Sequence, residues 1–378
     1  MTARILAIGT AVPPTSLTQD AVRDFFAAQP GMDRRAQRLV HSAFAAAAID
    51  RRHTVLAELG GELPADDDVP FAGGDGVLRS PTTAARNALY ERLAPALFAE
   101  ASRTALRDAG LEAAAVTHVV TVSCTGFFAP GPDYRLVRDL GLAPGVERYH
   151  LGFIGCAAGL PALRLAARIA ASQPEAVVLV ACAELCSLHV RTVDDPQQIV
   201  AASVFADGAA AAVVTGGAAP RGAPSLELDR FGTALTGEGE RDMVWTIGDH
   251  GFEMTLSAEV PRIIGREIRG AVRAFLGDDA APDAWAVHPG GRSILDRVEA
   301  GLGLPPVALA ASRSVLRDYG NMSSATILFI LGRMLQGSAA EGPADRDLAD
   351  GDRIAALAFG PGLTVESALL TARAGSRS

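Results

Sequence analysis

GFIGCAAGLPALRLAARIAAS (152–172) leaves an apolar strand, passes through the small residues around Cys156, and enters an apolar run with helical spacing. A strand that hands over to a helix through a tight turn is the building unit of α/β sheets. The unit recurs on both sides. ERYHLGF (147–153) is strand-like and 160–172 helical, while VTHVVTVSC (116–124), AVVLVACAELC (176–186) and AAAAVVTG (209–216) are β-branched or apolar runs of strand length. Residues 4–12 read as a first strand, 17–60 as mainly helical, 82–110 as a helix ended by Gly110, and LVRDLGL (136–142) as another helix. Apolar strands alternating with helices predict an α/β fold whose strands are largely parallel and covered on both faces.

GGAAPRGAP (216–224) marks a change of composition. Beyond it the pattern returns: SLELDRF (225–231) as strand, 257–276 as helix, AWAVHPGG (284–291) as strand and loop, 292–300 and 322–336 as helices, and RIAALAFG (353–360) as strand. The expectation is a duplicated α/β core, divided into 1–222 and 223–378.

Composition narrows the function classes. Of the 378 residues 49% are hydrophobic and 20% charged, enough apolar surface for a large core. A net charge of −9 argues against nucleic acid or an anionic membrane as partner. The N-terminus MTARILAIGTAVPP lacks a signal-peptide layout, and no charge-free apolar stretch reaches the roughly eighteen residues of a membrane span. A cytoplasmic protein with reduced thiols is expected, its four cysteines being too few for a disulfide scaffold. The acidic stretch ELPADDDVPFAGGDGVLRSP (62–81) reads as a solvated loop, since its spacing fits no Ca²⁺ site.

Cys156 admits two readings from its own segment, a nucleophile or a small buried thiol. A helix N-terminus favours thiolate, but if Pro161 opens the helix the cysteine lies too far ahead to feel much of it. His288 leaves the strand AWAV and is followed by Pro-Gly-Gly; Asn321 follows a glycine and precedes a long apolar helix. Each alone reads as structural or as a local cap. Together they have the makings of acyl transfer: a thiolate wants an imidazolium partner, and an amide beside the imidazole completes an oxyanion hole. There is no G-x-S-x-G, G-x-G-x-x-G, Walker loop or H-E-x-x-H, and the C-x₃-C of Cys182 and Cys186 has no further ligand pair, so no metal or nucleotide cofactor is expected.

These residues resemble those of type III polyketide synthases, the chalcone-synthase-like branch of the thiolase fold. The resemblance covers nearly the whole chain and is carried by GPDYRLVRDLGLAPGVERYHLGFIGCAAG (131–159), VFADGAAAAVV (204–214), WAVHPGGRSILDRVE (285–299), DYGNMSSATILFIL (318–331) and AFGPGLTVESALL (358–370). It implies a layered α-β-α-β-α thiolase-like fold, a homodimer, and acyl-CoA and malonyl-CoA as substrates rather than cofactors. It implies that Cys156 carries the growing chain, that His288 keeps it as thiolate, and that His288 with Asn321 stabilises the enolate left by decarboxylation. Phe205 matches a gatekeeper phenylalanine, and Gly360, Pro361 and Gly362 match a turn that shapes the cavity wall. Met254 stands where plant members carry a second phenylalanine, Ala129 where they carry a methionine that crosses the dimer interface, and Cys186 and His189 where they carry threonines. Basic residues for the CoA phosphates do not align cleanly, leaving Arg34, Arg35, Arg38, Arg51 and Arg52 as candidates. ELCSLH (184–189), SCTGFFAPG (123–131) and MVWTIGDHGFEM (243–254) resemble the bacterial branch that makes alkylresorcinols or alkylpyrones from long fatty acyl starters. A synthase using malonyl-CoA alone and a single-extension condensing enzyme are the alternatives.

Overall fold

The computed structural model describes residues 2–60, 71–72, 75–191, 195–217, 222–337 and 347–375. Asp66, Asp67 and Asp68 of the acidic stretch lie outside the described residues. In chain order the first half contains β1 (Arg4–Ala11), β2 (Thr15–Thr18), α1 (Gln19–Ala27), α2 (Arg34–Ala46), β3 (Arg51–Thr54), α3 (Thr83–Asp108), β4 (His118–Ser123), α4 (Pro132–Leu140), β5 (Glu147–Gly152), α5 (Gly159–Ser172), β6 (Val177–Leu185), α6 (Pro196–Val204) and β7 (Asp207–Thr215). The second contains β8 (Ser225–Leu235), β9 (Met243–Gly248), β10 (Gly251–Leu256), α7 (Val260–Leu276), β11 (Ala284–Val287), α8 (Arg292–Leu302), α9 (Ala310–Tyr319), α10 (Thr326–Gln336), β12 (Arg353–Gly360) and β13 (Thr364–Arg373).

Nine strands join in the order β11-β12-β13-β8-β1-β7-β6-β4-β5. The pairs β11–β12, β6–β4 and β4–β5 are parallel. The other five are antiparallel, so the expectation of a largely parallel sheet is corrected to a mixed one. Burial on both faces erases the period-2 pattern whatever the strand direction. Direction is decided by the links. α5 crosses over the sheet between β5 and β6, whereas the link through α6 leaves β6 and enters β7 at the same end, which makes those two antiparallel.

The pairing pattern repeats. β1 is antiparallel to β7, β7 to β6, and β6 is parallel to β4; β8 is antiparallel to β13, β13 to β12, and β12 is parallel to β11. The halves meet at the short β1–β8 ladder, Arg4 opposite Glu227 and Ile5 opposite Leu226. Three cores define five layers. Leu160, Leu163 and Ala166 of α5 and Ile327 and Ile330 of α10 pack between Val178, Val180 and Val214 of one half-sheet and Leu226, Ile354 and Ala356 of the other. Outside the first half-sheet, Leu179, Ala183 and Val213 meet Leu97 and Phe98 of α3. Outside the second, Val287, Leu357 and Phe359 meet Ile264 and Ile268 of α7 and Val298 of α8. The result is the layered α-β-α-β-α thiolase-like architecture.

At the head of α5 the backbone of Gly159 comes directly against the segment that opens α10. A Cβ on Gly159 would lie 2.7 Å from the Ser324 carbonyl oxygen and 2.7 Å from Ile327 Cγ2. Since backbone cannot yield as a flexible side chain does, overpacking here costs about 1–3 kcal/mol. Gly159→Val is expected to lower the thermal unfolding midpoint measured by scanning calorimetry, and to slow acylation of Cys156 in the folded fraction. An unchanged midpoint would show that the helices can separate freely.

Candidate active site

Cys156 sits in the turn between β5 and α5. Ala158 N–H donates to the Gly155 carbonyl (3.0 Å) and Leu160 N–H to that of Ala157 (3.1 Å), and α5 proper begins at Gly159. Pro161 is therefore inside the first turn, and the cysteine precedes the helix by one closed turn. Gly155 has φ 84°, and a Cβ there would fall 2.4 Å from Pro361 Cδ. Gly360 backs the same turn, where a Cβ would meet that of Ala157 at 3.1 Å. The Cys156 turn is thus wedged between the start of α10 on one side and the Gly360–Gly362 loop on the other.

Asn321 lies in the loop before α10. Its N–H donates to the Val204 carbonyl (2.9 Å) and its carbonyl accepts from Ala206 N–H (2.9 Å), forming a parallel bridge between Phe205 and Asn321. Asn321 Oδ1 accepts from Ser323 N–H (2.9 Å), which turns Nδ2 the other way, toward the Gly290 carbonyl at 3.4 Å. Ser323 adopts φ 47°, a left-handed conformation rare for serine, and backbone strain of this kind gathers at active sites. Its hydroxyl touches the Cys124 sulfur at 3.3 Å, and Ser323 and the Asn321 side chain both favour the charged form of the Cys156 sulfur. His288 follows β11, its N–H donating to the Leu357 carbonyl (2.8 Å). Its ring is 0% exposed and neither ring nitrogen has a hydrogen-bond partner.

Burial governs the charge state. Desolvation pushes the Cys156 thiol up to about 11 and Glu184 adds to that, while Ser323, Asn321 and the cysteine's own N–H pull it down. Burial pushes His288 down to about 3. Both shifts act toward the neutral forms, thiol and imidazole, and the groups that oppose the shift at sulfur are Ser323, Asn321 and the cysteine's own N–H. Neither His288 nor Asn321 is among the residues that line the cavity over Cys156.

Glu184, which sequence reasoning passed over, lies beneath the site. It is 0% exposed; Oε2 accepts from Ser123 Oγ (3.2 Å), Cys124 N–H (3.0 Å) and Thr125 Oγ1 (2.9 Å), and Oε1 from Cys124 Sγ (3.4 Å) and Ser324 Oγ. None of these partners is a cation, and burial raises its pKa. A lone acid within the apolar run AVVLVACAELC was the signal available.

A cavity opens over the sulfur. Cys156, Phe205, Met254, Cys186, His189 and Pro361 all line it. The β9–β10 hairpin forms part of its wall and is tied down by side chains: Trp245 Nε1 donates to the Cys124 carbonyl (2.8 Å), and Gln198 Nε2 to that of Met254 (2.8 Å). His189 is a strut. Its Nδ1 accepts from Phe252 N–H (3.0 Å), so Nε2 carries the proton given to the Thr125 carbonyl (2.8 Å), and the ring stacks on Phe252 at 4.1 Å. Gly360 and Gly362 do not line the cavity; Gly362 supplies φ 72° to the turn. Ala129 is exposed, beside the exposed Phe127. Of the arginine candidates, Arg34, Arg35, Arg38 and Arg51 are exposed, whereas Arg52 is buried in the cavity lining with Nη1 donating to backbone carbonyls.

Comparison with known proteins agrees with this geometry. Residues 1–220 match the family described as chalcone and stilbene synthases, N-terminal domain, and 233–373 match the corresponding C-terminal domain. The chain is 34% identical to bisdemethoxycurcumin synthase of Oryza sativa subsp. japonica, over 98% of this chain and 92% of that one. It is 31% identical to probable polyketide synthase 1 of Dictyostelium discoideum, over 97% of this chain and 11% of that much longer one. Among solved structures it is similar to PKS-I from the brown alga Ectocarpus siliculosus, with TM-score 0.88, 29% identity and 98% of both chains covered. It is also similar to the C-terminal type III polyketide synthase domain of Steely1 from Dictyostelium, with TM-score 0.84, 30% identity, and 98% and 99% of the two chains covered.

A raised thiol pKa leaves little thiolate at neutral pH, and the fraction grows as pH rises. Alkylation of Cys156 by iodoacetamide, followed by peptide mass spectrometry, is expected to quicken steadily from about pH 7 to about pH 9. Ser323→Ala should make it slower at each pH, because a hydrogen bond that favours thiolate is lost. A rate already flat below pH 7 would instead show a resting ion pair.

Proposed function

We infer the reaction from membership: the chain belongs to the chalcone and stilbene synthase family of type III polyketide synthases, and is a transferase that catalyses condensation. In the proposed mechanism Cys156 sulfur attacks the thioester carbonyl of a starter acyl-CoA, its proton passing to His288 Nε2 or Nδ1 and on to the departing CoA sulfur. Proton transfer on attack lets a neutral resting pair do what a resting thiolate would do. Malonyl-CoA then places its thioester oxygen against the imidazole N–H and Asn321 Nδ2. Loss of CO₂ leaves an enolate whose charge those two donors hold, and its carbon attacks the Cys156 acyl group. The sulfur leaves, and repetition followed by cyclisation completes the product.

For the starter we propose a long fatty acyl group, giving an alkylpyrone or alkylresorcinol as in the bacterial branch that the sequence resembles. The supporting observation is the cavity lining. Beyond Cys156 it continues past Ala201 and Ala202 of α6 to Leu17, Val22, Phe26 and Leu59, aliphatic and aromatic side chains that suit an alkyl chain. Met243 and Met254 add flexible thioether walls. A homodimer is proposed through the β5 edge, where residues 147–150 are exposed and Phe127, Tyr134, Tyr149 and Ile154 present apolar surface near Ala129. CoA thioesters as substrates fit a cytoplasmic location.

Two experiments test the reading. Incubation with fatty acyl-CoAs and malonyl-CoA, with products resolved by liquid chromatography and mass spectrometry, should give masses of repeated two-carbon extension, and intact-protein mass spectrometry should show an acyl adduct missing from Cys156→Ala. Products from malonyl-CoA alone would support the phenolic alternative, and one extension per starter the simpler condensing enzyme. His288→Ala and Asn321→Ala should each slow malonyl-CoA decarboxylation by about 10²–10³-fold, the usual loss for an oxyanion donor. Undiminished decarboxylation in both would remove them from that role.

A further inference from the structure

Asn321 and the gate residue Phe205 hang on one piece of backbone. Through the bridge described above, any displacement of residues 204–206 displaces Asn321. That segment is the end of α6, whose last carbonyls lack partners within the helix. Arg52, on β3, supplies them: Nη1 donates to the carbonyls of Ala202 (2.6 Å) and Phe205 (2.9 Å). Gln19 Nε2 adds one to Ser203 (2.9 Å). Arg52 is 6% exposed and its guanidinium lies 5.3 Å from the Phe44 ring. Its stem also reaches the other side of the bridge, since a Cβ on Gly320 would meet Arg52 Cγ at 3.3 Å and the Val204 carbonyl oxygen at 3.2 Å.

A buried guanidinium is an expensive way to fill space, and apolar residues of similar volume often do as well or better for stability. What they lack is a rigid pair of donors at a helix C-terminus, where a cation is also electrostatically favoured. Arg52 lines the cavity, and its Nε and Nη2 have no hydrogen-bond partner among the described residues, but neither bond made by Nη1 reaches Cys156, His288 or the Asn321 side chain. We propose that Arg52 is a positioning residue for the condensation: by clamping the Ala202 and Phe205 carbonyls it sets residues 204–206 and, through the bridge, the place of Asn321 Nδ2. The proposal rests on the family reaction above, in which Asn321 acts on malonyl-CoA and Cys156 alone carries the starter.

The test separates those two steps in the full-length enzyme. Arg52→Met keeps the stem and removes both donors; Arg52→Lys keeps the charge and a single nitrogen. Arg52→Met is expected to lower malonyl-CoA decarboxylation by about 10- to 100-fold, the scale of an ångström-sized misplacement. Starter acylation of Cys156, followed by intact mass, should fall far less, and Arg52→Lys should recover part of the decarboxylation. In an Asn321→Ala background Arg52→Met should cost little more, because the group it positions is gone. Folded variants that decarboxylate at the wild-type rate, or losses that multiply in the double variant, would overturn the proposal. So would decarboxylation and acylation falling together, the mark of a structural role. If Arg52→Met does not fold, Arg52→Lys and its double variant decide by the same criteria. A wild-type enzyme that neither acylates Cys156 nor decarboxylates malonyl-CoA would instead refute the family reaction itself.

Discussion

One backbone contact holds this architecture to its chemistry: Gly159 at the head of α5 against the Ser324 carbonyl at the head of α10. Each helix belongs to a different half of the duplicated fold, and each carries a reactive group on the loop leading into it. Letting the two heads touch without side chains brings Cys156 within reach of Ser323 and Asn321. The alanine- and leucine-rich faces of α5 and α10 are buried in one core between the half-sheets, which fixes the place of both heads. His288 arrives from a third direction, off the end of β11, and the Gly155–Pro361 contact closes the fourth.

A site assembled at the centre of five layers is buried, and burial sets the direction of its pKa shifts. Cys156, His288, Cys124 and Glu184 all have pKa values moved in the direction that favours the neutral form. Glu184 is tolerated because it collects donors from two hydroxyl-bearing loops, a thiol and a main-chain N–H, which together stand in for water. Low polarity also magnifies any donor that remains, which is what the proposed enolate stabilisation by the Asn321 amide and the His288 imidazole would draw on.

Much of this was legible in the sequence, and the misses have physical causes. Cys156, His288 and Asn321 each stand at a change from one periodicity to another, and loops at strand ends are where an α/β fold puts its chemistry. Strand direction was not legible, because two-sided burial removes the alternation that would have tracked it. The β9–β10 hairpin within MVWTIGDHGFEM was read as motif rather than structure. Its Gly248-Asp249-His250-Gly251 turn was the hairpin signal. Arg52 was grouped with Arg51 as a surface cation, yet in a strand successive side chains face opposite ways, and in the β3 register Arg51 points out and Arg52 in. Glu184 was missed because a partnered buried carboxylate announces itself only by sitting where an acid should not.

The shared bridge between Phe205 and Asn321 divides the cavity wall into two kinds of position for the evolution of new products. Changes at or near Phe205 alter cavity shape but pull on the backbone of Asn321, so under the proposed mechanism specificity gained there would trade against rate. Met254 and Trp245 sit on a hairpin tethered by side-chain bonds, with no backbone shared with the reacting groups. Divergence of starter and chain length in this lineage should therefore accumulate on the hairpin and leave residues 204–206 nearly still.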